Sequence, residues 1–327
     1  MKVVTGATGY IGAVLVRALA DRGDPVRAVF HERSGIFDAP GVEWVRGDVL
    51  DRDSMVTVFR DTDVVFHLAS LVSIEPRMAD AMQAVNVAGA RNVAEAALEC
   101  GVRRLIHFSS IRAYDQFPLD EVLDETRGRV GGLSRPAYDR SKALGEDEIR
   151  HGVERGLDAV ILNPTGVLGP YDRGPTGVGQ FFVDLRRRRV PMLIAGGFDC
   201  VDVRDVVGAT LAAETRGRSG ENYILGGRWH SVPELARLSE AVTGVPVPRV
   251  VCPIPLARFW TPFQMAWDRL HARPPLYTPD ALHHISRSNR RVSSARARDE
   301  LGFAPRPVRD SVRDAVRWFE ENGKLAG

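Results

Sequence analysis

The sequence has 327 residues, enough for one large domain or two unequal ones, and its 44% apolar and 26% charged residues exclude a disordered chain. A formal net charge of +2 gives no whole-chain reason to expect nucleic acid or an anionic membrane as the partner. Cys100, Cys200 and Cys252 lie far apart with no CxxC pair, as in a reduced, cytoplasmic protein, and no apolar run approaches the ~20 residues of a bilayer span.

The chain opens directly on an apolar run, MKVVTGATG, rather than on a charged-then-apolar leader. Residues 2–5 read as a short strand. Residues 12–22 carry Val14, Leu15, Ala18 and Leu19 at helical spacing and stop at Gly23. Strands are expected at 26–30 and 42–45. Another is expected at 64–69, where VVFHLA is nearly all apolar, as in a strand buried on both faces. A long helix is expected over 78–100, ended by Gly101, then a strand at 105–110, a helix at 137–155 and a strand at 159–162. Strands alternating with helices predict a parallel sheet with right-handed crossovers. Beyond residue 165 Gly and Pro become frequent and the alternation is lost. The chain is therefore divided at 1–165 and 166–327, the second part being a smaller substrate-binding lobe with segments returning to the first domain. Within it, residues 251–279 are rich in proline and aromatic residues. They read either as an amphipathic helix over the substrate cleft or as a helix pair packed on the lobe.

The turn Thr5-Gly6-Ala7-Thr8-Gly9-Tyr10-Ile11-Gly12 follows the first strand and opens the first helix. Gly6 permits a tight turn, Gly9 lets the backbone approach a pyrophosphate, Gly12 allows close helix–sheet packing, and the helix N-terminus supplies N–H donors. The spacing is GxxGxxG. Further motifs follow in order: GDV at 47–49, FHLAS at 66–70, NVAGARNV at 86–93, HFSS at 107–110, YDRSK at 138–142, NPTGVLGP at 163–170, VDVRDV at 201–206 and YILGG at 223–227. Together they resemble the extended short-chain dehydrogenase/reductases, the NAD(P)-dependent epimerase/dehydratase family, in its dihydroflavonol-reductase-like branch. The resemblance spans almost the whole chain. It implies an α/β fold: a doubly wound parallel Rossmann sheet with a smaller, mixed C-terminal lobe. It also implies that Gly6, Thr8, Gly9, Tyr10, Ile11 and Gly12 cradle the dinucleotide. Asp48 and Val49 would contact the adenine, and Leu68, Ala69 and Ser70 would line the cofactor, with Asn86 bracing them. Ser109 would lie near the cofactor, and Pro164, Thr165 and Val167 would flank the nicotinamide.

Tyr138 and Lys142 stand four apart on an expected helix and so share a face. A phenol with a free pKa near ~10 exchanges protons poorly at neutral pH, and an adjacent ammonium lowers that value. The lysine can also reach the nicotinamide ribose. Lys2, Lys142 and Lys324 are the chain's three lysines; arginine supplies the other cations, so a lysine in mid-chain is worth asking about. Ser110, at the end of the preceding strand, would hydrogen-bond the same substrate oxygen as Tyr138. Ser109 is its rival, and the resemblance of SSIRAY favours Ser110 as the catalytic serine. Tyr114 either touches substrate or packs on the lobe.

At the end of the second strand an acid would hold the ribose 2′-OH of NAD, and an Arg would accommodate the 2′-phosphate of NADP. The residue there is His31. Arg33 and Ser34 can grip a phosphate, while Glu32 could take the hydroxyls, so NADP is favoured over NAD. The arginine runs 186–189 and 290–291 read as solvated rather than phosphate-binding. His283 and His284 are adjacent and diverge on a helix, so no metal site is expected, and His67 and His107, in apolar strands, read as satisfied core residues. The expected function is hydride transfer between nicotinamide and a ketone, aldehyde or secondary alcohol. A sugar-nucleotide epimerase or dehydratase is the alternative, and a non-catalytic dinucleotide sensor the second. The expected partner is a small-molecule substrate, with no nucleic acid and no membrane span; a homodimer stays open.

Overall fold

The computed structural model describes residues 1–32, 37–73, 75–132, 135–270 and 278–325. The first half builds β1 (Lys2–Thr5), α1 (Tyr10–Asp21), β2 (Val26–Phe30), β3 (Val42–Arg46), α2 (Arg52–Phe59), β4 (Val64–His67), α3 (Ala79–Gln83), α4 (Gly89–Glu99), β5 (Arg104–Phe108), α5 (Ala137–Glu154) and β6 (Ala159–Pro164). Then follow β7 (Gly166–Leu168), α6 (Gly177–Arg186), β8 (Leu193–Ile194), β9 (Gly197–Asp202), α7 (Val203–Arg216), β10 (Asn222–Leu225), β11 (Arg228–Ser231) and α8 (Val232–Thr243). The chain continues through β12 (Val251–Cys252), α9 (Ile254–Leu270), α10 (Pro279–Ser286), α11 (Ala295–Leu301) and α12 (Val308–Glu321).

Seven parallel strands form the main sheet in the order β10-β6-β5-β4-β1-β2-β3. Strand side chains alternate between its faces. Val4, Phe66, Ile106 and Val160 bury against α1, α7 and α11 through Leu15, Leu19, Val206 and Leu301. Val3, Val65, Leu105 and Ile161 bury on the other face against Met55, Phe59, Val93 and Ile149 of α2, α4 and α5. This is the expected α/β doubly wound sheet with apolar layers on both sides. The smaller sheet is mixed, β9 pairing parallel with β7 and antiparallel with β11. No helix among the described residues is long and apolar enough to cross a membrane.

The strand order reverses between β1 and β4, and the turns after Thr5 and His67 lie against each other there, at the crevice such a reversal leaves. The fourth strand ends at His67 rather than at residue 69, because the Leu68 N–H donates to the Thr5 carbonyl (3.1 Å) and the Ala69 N–H to Thr5 Oγ1 (3.3 Å). The helix expected over 78–100 is a 3-10 turn, α3, a π turn at Ala84–Ala88 and α4 in succession. The short helix α2, capped by Asp51 on the N–H groups of Asp53 and Ser54, was not expected from the sequence pattern. Within residues 251–279 the described residues form β12 and one helix, α9, which packs against α10, a helix that begins only at Pro279, through Ile254, Ala257, Leu282 and Ile285.

Candidate active site

The glycine turn forms the floor of the crevice. Gly6 has φ +69°, and a Cβ there would stand 2.5 Å from the Ala69 nitrogen. A Cβ at Gly12 would collide with the Gly6 carbonyl oxygen, so the third glycine lets α1 close on the turn. Gly9 differs: its Cβ would meet only the Gly6 oxygen, at 3.2 Å, and otherwise open space. Thr8 and Gly9 are exposed, and Gly9 caps α1 with no side-chain acceptor on the first-turn N–H groups. Such a cradle, open at the N-terminus of a helix, fits the pyrophosphate of a dinucleotide. Ile11 packs partly on the core. Tyr10 departs from expectation: its hydroxyl is buried without a hydrogen-bond partner, and burial followed by the Asp172 and Asp202 charges pushes the phenol up. Its hydroxyl thus faces the acids of the second half of the chain rather than the open cradle.

At the end of β2 the His31 Nε2 lies 3.5 Å from Asp48 Oδ2, both exposed, and Asp48 Oδ1 accepts from the Leu50 N–H at 2.9 Å. Val49 is buried against Gly89. Arg33 and Ser34 lie outside the described residues. On the loop after β4, Leu68, Ala69 and Ser70 are half-buried. Asn86 holds this loop: its Oδ1 accepts from Ser70 Oγ (2.9 Å) and the Leu71 N–H (2.8 Å), and its Nδ2 donates to the Leu71 carbonyl and to Ser141 Oγ (both 2.9 Å). Asn86 is buried on the π turn, with its amide committed to these four bonds. It ties the loop after β4 to α5.

Ser110, Tyr138 and Lys142 converge at the C-terminal ends of β5 and β6. The Ser110 hydroxyl pulls the Tyr138 phenol down against its burial and accepts from the Arg112 N–H at 3.2 Å. The Ser110 carbonyl is held by Asn163 Nδ2 (3.0 Å), itself anchored on the fully buried Glu146 of α5 at 2.6 Å. Lys142 is buried, with Nζ donating to the Phe108 carbonyl (2.8 Å) and Ser70 Oγ (3.1 Å). Burial lowers its ammonium to about 8, against the opposing charge of Glu146. The expected lowering of the phenol by Lys142 is not found. Burial raises Tyr138 to about 12, and the opposing pull comes first from Ser110, while Lys142 is turned toward Ser70 and Phe108. Ser109 is buried with its hydroxyl unpartnered.

Tyr114 does not reach this site. It is 2% exposed and packs with Ile111, Leu123 and Ile224. Pro164 is buried at the end of β6, and Val167 packs partly on the core. The Thr165 hydroxyl donates to Asp199 Oδ1 at 2.7 Å, and that oxygen also accepts from the Gly227 N–H at 2.8 Å. His67 and His107 are both buried, but only His67 is satisfied as expected: its Nδ1 lies 2.8 Å from Thr5 Oγ1, and burial followed by the Lys142 charge lowers it to about 3, whereas His107 Nδ1 is buried without a partner.

A family model described as the NAD dependent epimerase/dehydratase family matches residues 2–226. The chain belongs to that family. It is an NAD(P)-dependent enzyme of the extended short-chain dehydrogenase/reductase type. It is 35% identical over 330 residues to "Sterol demethylase protein B" of Methylococcus capsulatus, covering 99% of each chain. It is 30% identical over 331 residues to a "Putative dihydroflavonol 4-reductase" of Synechocystis sp., covering 98% of this chain and 94% of the relative. A "3-beta-hydroxysteroid dehydrogenase" of Mycolicibacterium neoaurum is 26% identical over 328 residues, covering 93% of this chain and 86% of the relative. Among solved structures, that of gox2253 superposes with a TM-score of 0.82 at 31% identity, covering 99% of both chains.

This family member surrounds its tyrosine with three residues that sequence reading did not assign to the site. Asp139, buried next to Tyr138, accepts from Arg112 Nη2 at 2.7 Å and lies 3.1 Å from His284 Nε2 on α10. The His284 ring stands edge-on to the Tyr138 ring, centroids 6.4 Å apart. Arg112 and His284 together hold the Asp139 carboxyl below its usual range despite burial. The Asp139–Tyr138 adjacency was visible in YDRSK, but a partner 145 residues away at His284 leaves no local pattern. Among the described residues no group of His, Cys, Asp or Glu could hold a metal.

Proposed function

We propose that the enzyme moves a hydride between a nicotinamide dinucleotide and a secondary alcohol or ketone borne on a large apolar skeleton, with Tyr138 handling the proton. The observation that carries this reading is the buried Lys142 ammonium on the Phe108 carbonyl, one turn of α5 from Tyr138, whose phenol Ser110 pulls down. Two relatives named for sterol and 3-beta-hydroxysteroid chemistry support the apolar skeleton. So does the internal use of Arg186, paired with Glu320 at 3.4 Å, and of Arg187, donating to the Lys324 carbonyl at 2.9 Å. Those two side chains are committed to α12 and its end, which weakens a phosphate-binding role for the arginine run in a sugar-nucleotide epimerase.

The residues fit the dinucleotide. Gly6, Thr8, Gly9, Ile11 and Gly12 would take the pyrophosphate, Asp48 and Val49 the adenine, and Leu68, Ala69, Ser70, Ser109, Pro164, Thr165 and Val167 the nicotinamide end, with Lys142 at its ribose. When bound, the nicotinamide supplies or accepts the hydride. The phenol, raised to about 12, is protonated at neutral pH and stands ready to give its proton to a carbonyl oxygen. Ser110 donates a hydrogen bond to the same oxygen and stabilises the charge it develops. In the reverse direction the alcohol proton must go to a phenolate, so oxidation requires the phenol to ionise first.

The test is turnover of a panel of 3-hydroxysteroids and their ketones with NAD and NADP, followed through the absorbance of the reduced nicotinamide. Tyr138→Phe should lower turnover by about 10²–10⁴-fold with cofactor affinity nearly unchanged. In the parent, oxidation should accelerate between about pH 7 and pH 10 while reduction does not. Parent-level turnover by the Phe variant would overturn the assignment. Tightly retained NAD together with epimerisation of nucleotide-sugars would replace the reading with the sugar-nucleotide one.

A further inference from the structure

The outer face of α9 is apolar and faces solvent. Phe259, Trp260 and Phe263 are 64%, 56% and 58% exposed, and their ring centroids lie 5.8 Å from one another. Leu256 on the same helix is 48% exposed, and Val250 and Val251 continue the strip at the entry to the helix. The inner face is different: Ala257 and Thr261 are buried, and the Thr261 hydroxyl donates to the Ala257 carbonyl. The helix therefore lies flat on the lobe with its large side chains turned outward. An ordinary surface helix does the opposite.

The surrounding charge is one-sided. Residues 241–267 contain no Asp or Glu and two arginines, Arg249 and Arg258. Both are exposed; Arg249 leans on Glu240 at 2.8 Å, and Arg258 is bonded to the neutral Ser286 Oγ at 3.3 Å. Asp268 is followed by Arg269 and Arg273 in the sequence. A whole-chain charge near zero thus conceals a segment in which exposed aromatic side chains adjoin Arg258, which pairs with no carboxylate among the described residues.

From these observations we infer that α9 is a docking surface for an anionic lipid bilayer, lying in the headgroup region with Phe259, Trp260 and Phe263 inserted and Arg258 at the phosphates. Such a helix, aromatic on one side and rimmed by arginine, is suited to the water–lipid boundary, where a Trp ring settles at headgroup depth. A second copy of the chain fits less well. The described patch exposes roughly 400–500 Å², taking 150–250 Å² for a whole aromatic side chain. A stable dimer needs about 800 Å² from each partner. The surface also adjoins the site, because α9 packs on α10 and α10 places His284 beside Tyr138. An enzyme held there by its α9 face keeps its crevice near the bilayer, where apolar compounds collect. The docking claim does not depend on the proposed reaction.

Sedimentation of the full chain with vesicles tests it. Vesicles of phosphatidylcholine with about one third phosphatidylglycerol should carry the protein down. Pure phosphatidylcholine should carry less, and raised salt should weaken the binding, as electrostatic attraction requires. The triple variant Phe259→Ser, Trp260→Ser, Phe263→Ser should lose about tenfold or more of the partition coefficient. It should keep its circular dichroism and its dinucleotide affinity, since the three side chains lie outside the core. Arg258→Glu should weaken binding to the anionic vesicles and leave binding to the neutral ones as it was. As a measurement independent of that variant's folding, brominated lipid should quench the parent's tryptophan fluorescence more than that of Trp260→Tyr. A parent that stays in the supernatant with both vesicle types at low salt overturns the inference, as does a triple variant that binds like the parent. A parent that sediments as a dimer, with a monomeric triple variant and no vesicle binding, assigns the face to a second copy and equally overturns it.

Discussion

The three glycines of the first turn do separate work, and substitution should separate them. Gly9→Val adds a side chain to open space, so the fold should survive with its melting temperature nearly unchanged while both NAD and NADP titrations fail. Gly12→Val drives a side chain into the Gly6 carbonyl and should lower stability by about 2 kcal/mol or more whether or not cofactor is present. Equal loss of stability in the two variants would remove the distinction. Cofactor choice is also a single-residue question. His31, not an acid, follows the last residue of β2, and Arg33 comes two residues on. We propose that Arg33 contacts the 2′-phosphate, so Arg33→Ala should weaken NADP by about 1.5–3 kcal/mol and leave NAD in place. Equal weakening of both dinucleotides, or a parent that prefers NAD, would end the NADP assignment. At this scale the sequence showed which residue types were present but not their surroundings. Ser110 pulls on the Tyr138 phenol, whereas Lys142 turns to Phe108 and Ser70, and Tyr114 disappears into a core cluster.

Elements read well where periodicity was long and poorly where tertiary bonds overrode it. The strands and α1 follow from apolar runs ended by glycine, but the π turn at Ala84–Ala88 follows from Asn86 reaching back to Ser70 and Leu71, which no helical period encodes. The short strands of the lobe carry too few residues to alternate visibly. One of them, β9, holds Asp199, which ties the β6–β7 junction at Thr165 to Gly227 after β10. Burial raises this carboxyl from 3.8 to about 6. The folded chain therefore holds the proton more tightly than the unfolded one. That contribution to stability is full below the unfolded pKa and is lost as pH rises through about 6. Asp199→Asn keeps an acceptor oxygen and removes the ionisation. Relative to the parent it should gain as much as about 3 kcal/mol near pH 8 and little near pH 4. Melting curves at the two pH values decide this, and an equal change at both would count against the buried charge as the cause.

The molecule as a whole departs from a simple succession of two halves. Residues 203–216 and 222–225 lie beyond the lobe's first strand, yet α7 covers one face of the main sheet and β10 pairs with β6 at its edge, Tyr223 opposite Leu162. The loss of rhythm after residue 165 came with the expectation that segments return to the first domain; which segments return was not legible, because a strand's partner is not written in its own residues. A fragment comprising 1–165 would leave β6, buried throughout in the whole chain and unpaired on one side in the fragment, at an open edge, and we expect it to aggregate where 1–327 stays in solution. A soluble, monomeric fragment in a sedimentation run would contradict this.

The same strand order sets a delay during synthesis. When the ribosome has made β6, the segment that will cover its edge lies some sixty codons downstream. At about 5–20 residues per second the nascent sheet waits roughly 3–12 s with that edge bare before Asn222–Leu225 are made. Codon usage and chaperone supply across that interval, more than the stability of the finished protein, would then govern how much of it a cell recovers folded.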